Sequence, residues 1–109
     1  MIITIIIIKA AGQAKVAILI KSLASNCDVM IVIGSFTSAN SNRLTQLSLE
    51  RNKRSYQVTC SNDLDESWFN KCKVVGISAG ASTPDDLIDG VVDKIKEIGH
   101  ITEKEIVYE

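Results

Sequence analysis

The stretch Val29-Met30-Ile31-Val32-Ile33-Gly34-Ser35-Phe36-Thr37-Ser38-Ala39-Asn40-Ser41-Asn42 decides the fold. Val29–Ile33 is a short run of apolar, mostly β-branched residues with no polar alternation, so it reads as a strand covered on both faces. Gly34-Ser35 closes it. The hydroxyl and amide side chains that follow lead into a helical pattern over Ser41–Asn52, with Leu44, Leu47 and Leu49 apolar and Arg43, Glu50, Arg51 and Lys53 solvated. This is one β-loop-α unit.

Working outward, the unit repeats. Upstream, Ile2–Ile8 reads as a strand and Ala14–Ala24 as a helix with Val16, Ala17, Ile20 and Leu23 apolar. Downstream, Ser55–Thr59 is a third strand and Cys60–Glu66 a polar turn. Trp68 and Phe69 fall in a short helix or turn against the core. Lys73–Ile77 is a fourth strand, leaving through Ser78-Ala79-Gly80-Ala81-Ser82-Thr83-Pro84. Pro84 suits the first position of a helix capped by Ser82 or Thr83, with Asp85 and Asp86 at its positive end. That helix runs to about Ile98 and stops at Gly99, with Leu87, Ile88, Val91, Ile95 and Ile98 inward. A short extended piece, Glu105–Tyr108, follows. Cys27 and Cys72 each stand just before a buried strand that exits into small residues, a brief internal echo. The predicted fold is α/β: residues 1–109 as one three-layer domain, with a mainly parallel four-stranded sheet and helices on both faces.

Composition removes several functions. The net charge is −1 and aromatic residues make up 5% of the 109, so neither a phosphate-neutralising face nor a base-stacking platform is expected. Nucleic acid is therefore not an expected partner, and neither is a membrane. The apolar start is too short to span a bilayer and lacks a basic leader and cleavage site. Three widely spaced cysteines without a CxxC pair argue for a reduced, cytoplasmic setting, an organelle remaining open.

In an open parallel sheet, ligands bind beyond the carboxyl ends of the strands. Two loops leave those ends and feed helix amino termini, where free N–H groups attract anions. Gly34–Asn42 supplies Ser35, Thr37, Ser38, Asn40 and Ser41, and Ser78–Pro84 supplies Ser78, Ser82 and Thr83. A phosphate or diphosphate is the natural ligand. The same residue types are what ordinary helix caps and tight turns use, so a purely structural role stands beside the ligand reading. Neither loop is a Walker A or GxGxxG sequence. Cys27 and Cys72 fall at the opposite edge and read as core. Cys60 is a single thiol, His100 faces the last helical carbonyls, and Asp63, Asp65 and Glu66 form a solvated turn. No nucleophile, base and orienting group can be assembled.

Taken together, the two loops carry a resemblance. Ile31-Val32-Ile33-Gly34-Ser35-Phe36-Thr37-Ser38-Ala39-Asn40-Ser41-Asn42-Arg43-Leu44 resembles the VVGSKNSSNSNRL stretch of 4-hydroxy-3-methylbut-2-enyl diphosphate reductases, the LytB family. Val74-Val75-Gly76-Ile77-Ser78-Ala79-Gly80-Ala81-Ser82-Thr83-Pro84 resembles that family's VGVTAGASAP. Asp63-Leu64-Asp65 and Trp68 match its acidic turn and tryptophan, and Lys104-Glu105-Ile106-Val107-Tyr108 resembles its tail.

The resemblance implies the third, carboxy-terminal domain of an iron–sulfur enzyme of the non-mevalonate isoprenoid route, which forms isopentenyl and dimethylallyl diphosphate by reductive dehydroxylation. It implies an allylic diphosphate substrate, held here by Ser38, Asn40 and Ser82, with Ala39 standing where the family has a second serine. The complete enzyme carries a [4Fe–4S] cluster held by one cysteine from each domain. Counting back from Gln13 places this domain's cluster position at Ile6, which cannot ligate iron. No cluster, no other metal and no catalytic residue is therefore expected in this chain, which should be inactive alone. The missing reductase domains are its expected partners. The apolar surface they would cover predicts self-association. A free-standing anion-binding or structural module without redox chemistry is the alternative.

Overall fold

The computed structural model describes residues 2–10, 13–80 and 83–108. Strands and helices alternate as β1 (Ile2–Ala10), α1 (Gln13–Asn26), β2 (Val29–Ile33), α2 (Ala39–Leu49), β3 (Ser55–Val58), β4 (Val74–Gly80), α3 (Asp85–Ile98) and β5 (His100–Tyr108). Two 3-10 turns, Ser61–Asp63 and Glu66–Phe69, join β3 to β4. The α/β class and the parallel sheet agree with the sequence reading. The sheet has five strands in the order β3-β2-β4-β1-β5, every described pairing parallel. The fifth strand is the correction. It begins at His100, well before the short extended piece expected at Glu105, because β1 offers it a second edge from Ile2 to Lys9.

Each central strand is apolar on both faces because each face is roofed by helix. Ile3, Ile5 and Ile7 of β1, Val29, Ile31 and Ile33 of β2, and Val75, Ile77 and Ala79 of β4 point to one side. There they meet Ile88, Val91, Val92 and Ile95 of α3, together with Phe69. Ile8, Met30 and Val32 point to the other side and meet Val16, Ile20 and Leu23 of α1 and Leu44 of α2. The spacing within α3, three or four residues between buried positions, is the helical period that the sequence displays.

Gly76 serves this packing in the middle of β4. A β-carbon there would meet the Met30 sulfur and come within 2.9 Å of both Cys27 Sγ and Leu23 Cγ. The end of α1 can lie close on the sheet only because that methyl is missing.

Several boundaries differ from those expected, each for a physical reason. β4 continues to Gly80, since it is flanked by β2 and β1 and pairs with β1 as far as Ala10. Ser78 is therefore a buried strand residue and not part of a loop. Pro84 is the N-cap of α3, with ψ of 141°, and among the described residues no side chain caps that helix. Its carbonyl instead accepts the first turn's N–H from Leu87 at 3.1 Å. Leu49 and Leu87 are exposed, unlike their apolar neighbours in the same helices. Asp85 in the first turn of α3 pairs with Lys9 Nζ at 2.6 Å and ties the end of β1 to the start of α3.

Candidate functional site

β2 and β4 are neighbours whose chains leave in opposite directions. From β2 the chain crosses to α2 on one face, and from β4 to α3 on the other. Such a divergence opens a crevice beyond the carboxyl ends of the strands, where ligands of open α/β sheets bind. The structure has a cleft of about 450 Å³ at this place, lined by Ile33, Gly34, Ser35, Ser38, Ser41, Thr59, Thr83, Pro84 and Leu87. A larger hollow of about 620 Å³ lies at the opposite edge, against Ile2, Thr4, Cys72 and Val74. Lys71 and Lys73 also border it, and its surface is mainly apolar.

The first loop is held by its own short side chains. Ser38 is the N-cap of α2, its hydroxyl oxygen accepting from Ser41 N–H at 3.3 Å. Its hydroxyl proton has no partner among the described residues. Nor do the backbone N–H groups of Ala39 and Asn40 in the first turn of α2. Ser35 and Thr37 share a hydroxyl–hydroxyl bond of 2.8 Å. Below the loop, the Gln57 amide donates to Ser35 O at 3.1 Å and Asn42 Oδ1 at 3.0 Å. Asn42 in turn donates to Phe36 O at 3.0 Å. These bonds fix the loop from beneath.

Gly34 sets how close α2 comes to the strand end. A β-carbon at Gly34 would collide with the Ser41 hydroxyl and lie 2.6 Å from Ser41 Cβ. No described glycine has a positive φ, so Gly34 is required for space and not for a left-handed backbone.

Across the cleft, Thr83 N–H donates to Gly80 O at 3.0 Å. Thr83, Pro84 and Leu87 form that wall. Ser82, the residue expected to donate from this loop, lies outside the described residues, as does the side chain of His100.

This geometry meets a match in sequence. Residues 10–96 fit the family model described as LytB protein. The chain belongs to the LytB family. A LytB relative from Vibrio cholerae, a 4-hydroxy-3-methylbut-2-enyl diphosphate reductase, is 38% identical over 88 residues, which are 81% of this chain and 28% of the relative. The reductase of the same name from Citrifermentans bemidjiense is 49% identical over 78 residues, again 28% of its length. A solved structure of this reductase, the terminal enzyme of the non-mevalonate pathway, superposes with a TM-score of 0.69 at 46% identity, over 72% of this chain and 28% of that one. The Plasmodium falciparum enzyme shares the fold, with a TM-score of 0.74 over 86% of this chain and 30% of its own, at 21% identity. The chain thus spans less than a third of the length of the curated relatives it matches.

Of the residues singled out in sequence, Ser35, Ser38, Ser41 and Thr83 line the cleft. Ala39 and Asn40 open α2 beside it with exposed side chains, and Thr37 is turned to Ser35. Ser78 is withdrawn into the sheet. Thr59, Pro84 and Leu87 were not foreseen as lining. Gln57 was also missed, although an amide within an otherwise packed strand is a signal that it serves a polar partner.

The thiols lie elsewhere. Cys72 is buried and Cys27 half-buried, and both precede their strands. Burial raises the Cys27 thiol to about 12 and the Cys72 thiol to about 11, with the nearby Asp28 carboxylate adding to each. Asp28 itself accepts the Lys73 and Val74 N–H groups at 2.8 and 2.9 Å, and its pKa is lowered chiefly by the Lys73 bond. Asp63 and Asp65 are turn caps, bonded to Thr59 and Ser67 respectively. Among the described residues no helix is long and apolar enough to cross a membrane.

Proposed function

We propose that this chain is the carboxy-terminal, diphosphate-holding domain of a 4-hydroxy-3-methylbut-2-enyl diphosphate reductase, and that by itself it binds the anion without carrying out the reduction. The observation that carries this reading is the cleft at the β2–β4 divergence, walled by the two segments that resemble the reductase loops. The free Ser38 hydroxyl, the N–H groups of Ala39 and Asn40, and the Asn40 and Ser82 side chains are the donors assigned to the diphosphate. Ala39 offers no hydroxyl but keeps its N–H, so the position weakens the site by about one charge-assisted bond, ~1.5–3 kcal/mol, and leaves it a site.

An iron–sulfur cluster does not fit the residues of this chain. Such a cluster needs thiolates. Cys27 and Cys72 sit at the far edge of the sheet with thiols held protonated, and Cys60 is one thiol after β3. Ile6 lies in the middle of β1 opposite Gly76, and before the segment that the family model covers. Among the described residues no group of three or more His, Cys, Asp or Glu side chains could hold a metal ion. The redox step is therefore assigned to a partner or a longer chain.

Titration calorimetry with inorganic diphosphate tests the reading. Binding in the micromolar to low millimolar range is expected, weakened about tenfold by S38A and again by S82A. Absence of heat at millimolar ligand, or affinity unchanged by both substitutions, refutes it.

A further inference from the structure

The walls of the cleft differ in hydrogen-bonding sense. On the α2 side the wall carries a donor, the Ser38 hydroxyl, whose oxygen already accepts, and the open N–H groups of Ala39 and Asn40 follow it in the adjoining first turn of α2. On the β3 side stands Thr59. The Thr59 hydroxyl donates its single proton to Asp63 Oδ2 at 2.6 Å, and the same oxygen accepts the Thr59 N–H at 2.7 Å. A hydroxyl has one proton to give. Cys60 Sγ lies 3.9 Å from the same hydroxyl, much the longer of its two contacts, so with its proton committed to the carboxylate Thr59 can offer a ligand only a lone pair. These bonds also hold the Asp63 carboxyl below its ordinary value, the Thr59 hydroxyl being the larger cause, so the carboxylate stays ionised at neutral pH.

An anion that carries no proton finds donors on one wall and an unpaired acceptor on the other. An anion with a hydroxyl on one oxygen satisfies both. A phosphate group still carries such a proton in mildly acidic solution, its second ionisation falling at about pH 6, whereas sulfate of the same shape has none. We propose that Thr59, oriented by Asp63 as its positioning residue, makes this cleft selective for protonated phosphate oxygens over isosteric unprotonated oxyanions. The inference rests on the anion-binding reading of the same cleft and adds to it a determinant of specificity.

D63N inverts the arrangement. The asparagine oxygen can still accept the Thr59 N–H, but its NH2 group donates to Thr59 Oγ1, which frees the threonine proton for the cleft. The experiment compares inorganic phosphate and sulfate, each titrated at pH 6 into the wild-type chain and into D63N, T59V and T59S, with circular dichroism confirming the fold of each. The wild type should prefer phosphate by roughly tenfold, the effect of one unmatched acceptor. T59S should keep that preference, and D63N and T59V should lose it. A general loss of structure would weaken both ions together and leave their ratio unmoved, so the ratio separates positioning from stability. Equal affinity for the two ions in the wild type, or a ratio unchanged in both D63N and T59V, overturns the inference. Failure of phosphate, sulfate and diphosphate alike to bind refutes the anion site as well.

Discussion

Replacing Gly34 by alanine probes the contact on which the site's shape depends. The new methyl would fall on the Ser41 hydroxyl and 2.6 Å from Ser41 Cβ, with the next atom, Ser41 Cα, at 3.9 Å. Ser41 therefore accounts for the whole clash. Ser41 lies in the first turn of α2, which is anchored by the Ser38 cap and by Leu44 in the core, so neither side can give way freely. Overpacking of this kind costs ~1–3 kcal/mol, and the depth of the overlap places G34A at the upper end, about 2–3 kcal/mol. S41G removes both offending atoms at a helix-propensity cost of about 1 kcal/mol. In the S41G background, G34A should cost almost nothing, giving a coupling of about 2 kcal/mol in the double-mutant cycle. Urea denaturation followed by the fluorescence of Trp68, the one tryptophan of the chain, measures all four corners. Additivity within about 0.5 kcal/mol would show that Gly34 is not the spacer for α2 and would refute the reasoning.

Two further outcomes concern the opposite edge of the sheet. Cys27 and Cys72 hold their protons in the folded state to about 12 and 11 against an ordinary 9.0, so the unfolded chain releases them first and stability should fall as pH rises above about 9; a C27A/C72A chain should show a flatter alkaline limb in thermal melts. Asp28, whose pKa is lowered by the Lys73 and Val74 N–H groups, contributes stability that is present above the ordinary carboxylate value and lost as pH falls through its folded value. D28A should destabilise by about 1–2 kcal/mol at pH 7, with the difference from wild type closing as pH falls through the lowered folded value, as read by acid-dependent urea melts.

The alternation of apolar β-branched runs with helical periods was enough to predict the layers, because burial on both faces leaves a strand with no polar residue to hide. Val29–Ile33 and the positions Ile88, Val91 and Ile95 behave accordingly. The end of β4 was not legible: Ser78-Ala79-Gly80 has loop composition, and only pairing with both neighbours makes it strand. Of the fifth strand only Glu105–Tyr108 could be read as extended; its start at His100 was hidden, since a charged piece pairs only if another strand offers an edge. Leu87 looks like core by its spacing, yet it is exposed in the wall of the cleft. At the site, Ser35, Ser38 and Ser41 could be named from their place before a helix. Thr59 could not, because its role depends on a turn that brings Asp63 back to it.

The strand order has a consequence for how the molecule is made. β1 precedes β4 and β5 in the chain, yet it sits between them, and its pairing with β4 begins at Thr4 against Val74. No hydrogen-bonded partner for its run of isoleucines exists until about seventy residues more have emerged. Contacts of such long range slow folding, and an apolar strand left waiting is prone to pair with a copy of itself. α1, which follows at once and covers Ile8 through Val16 and Ile20, is the only early shield for one face of that strand among the described elements. Protection of that apolar strand before the sheet closes thus falls to the β1–α1 unit.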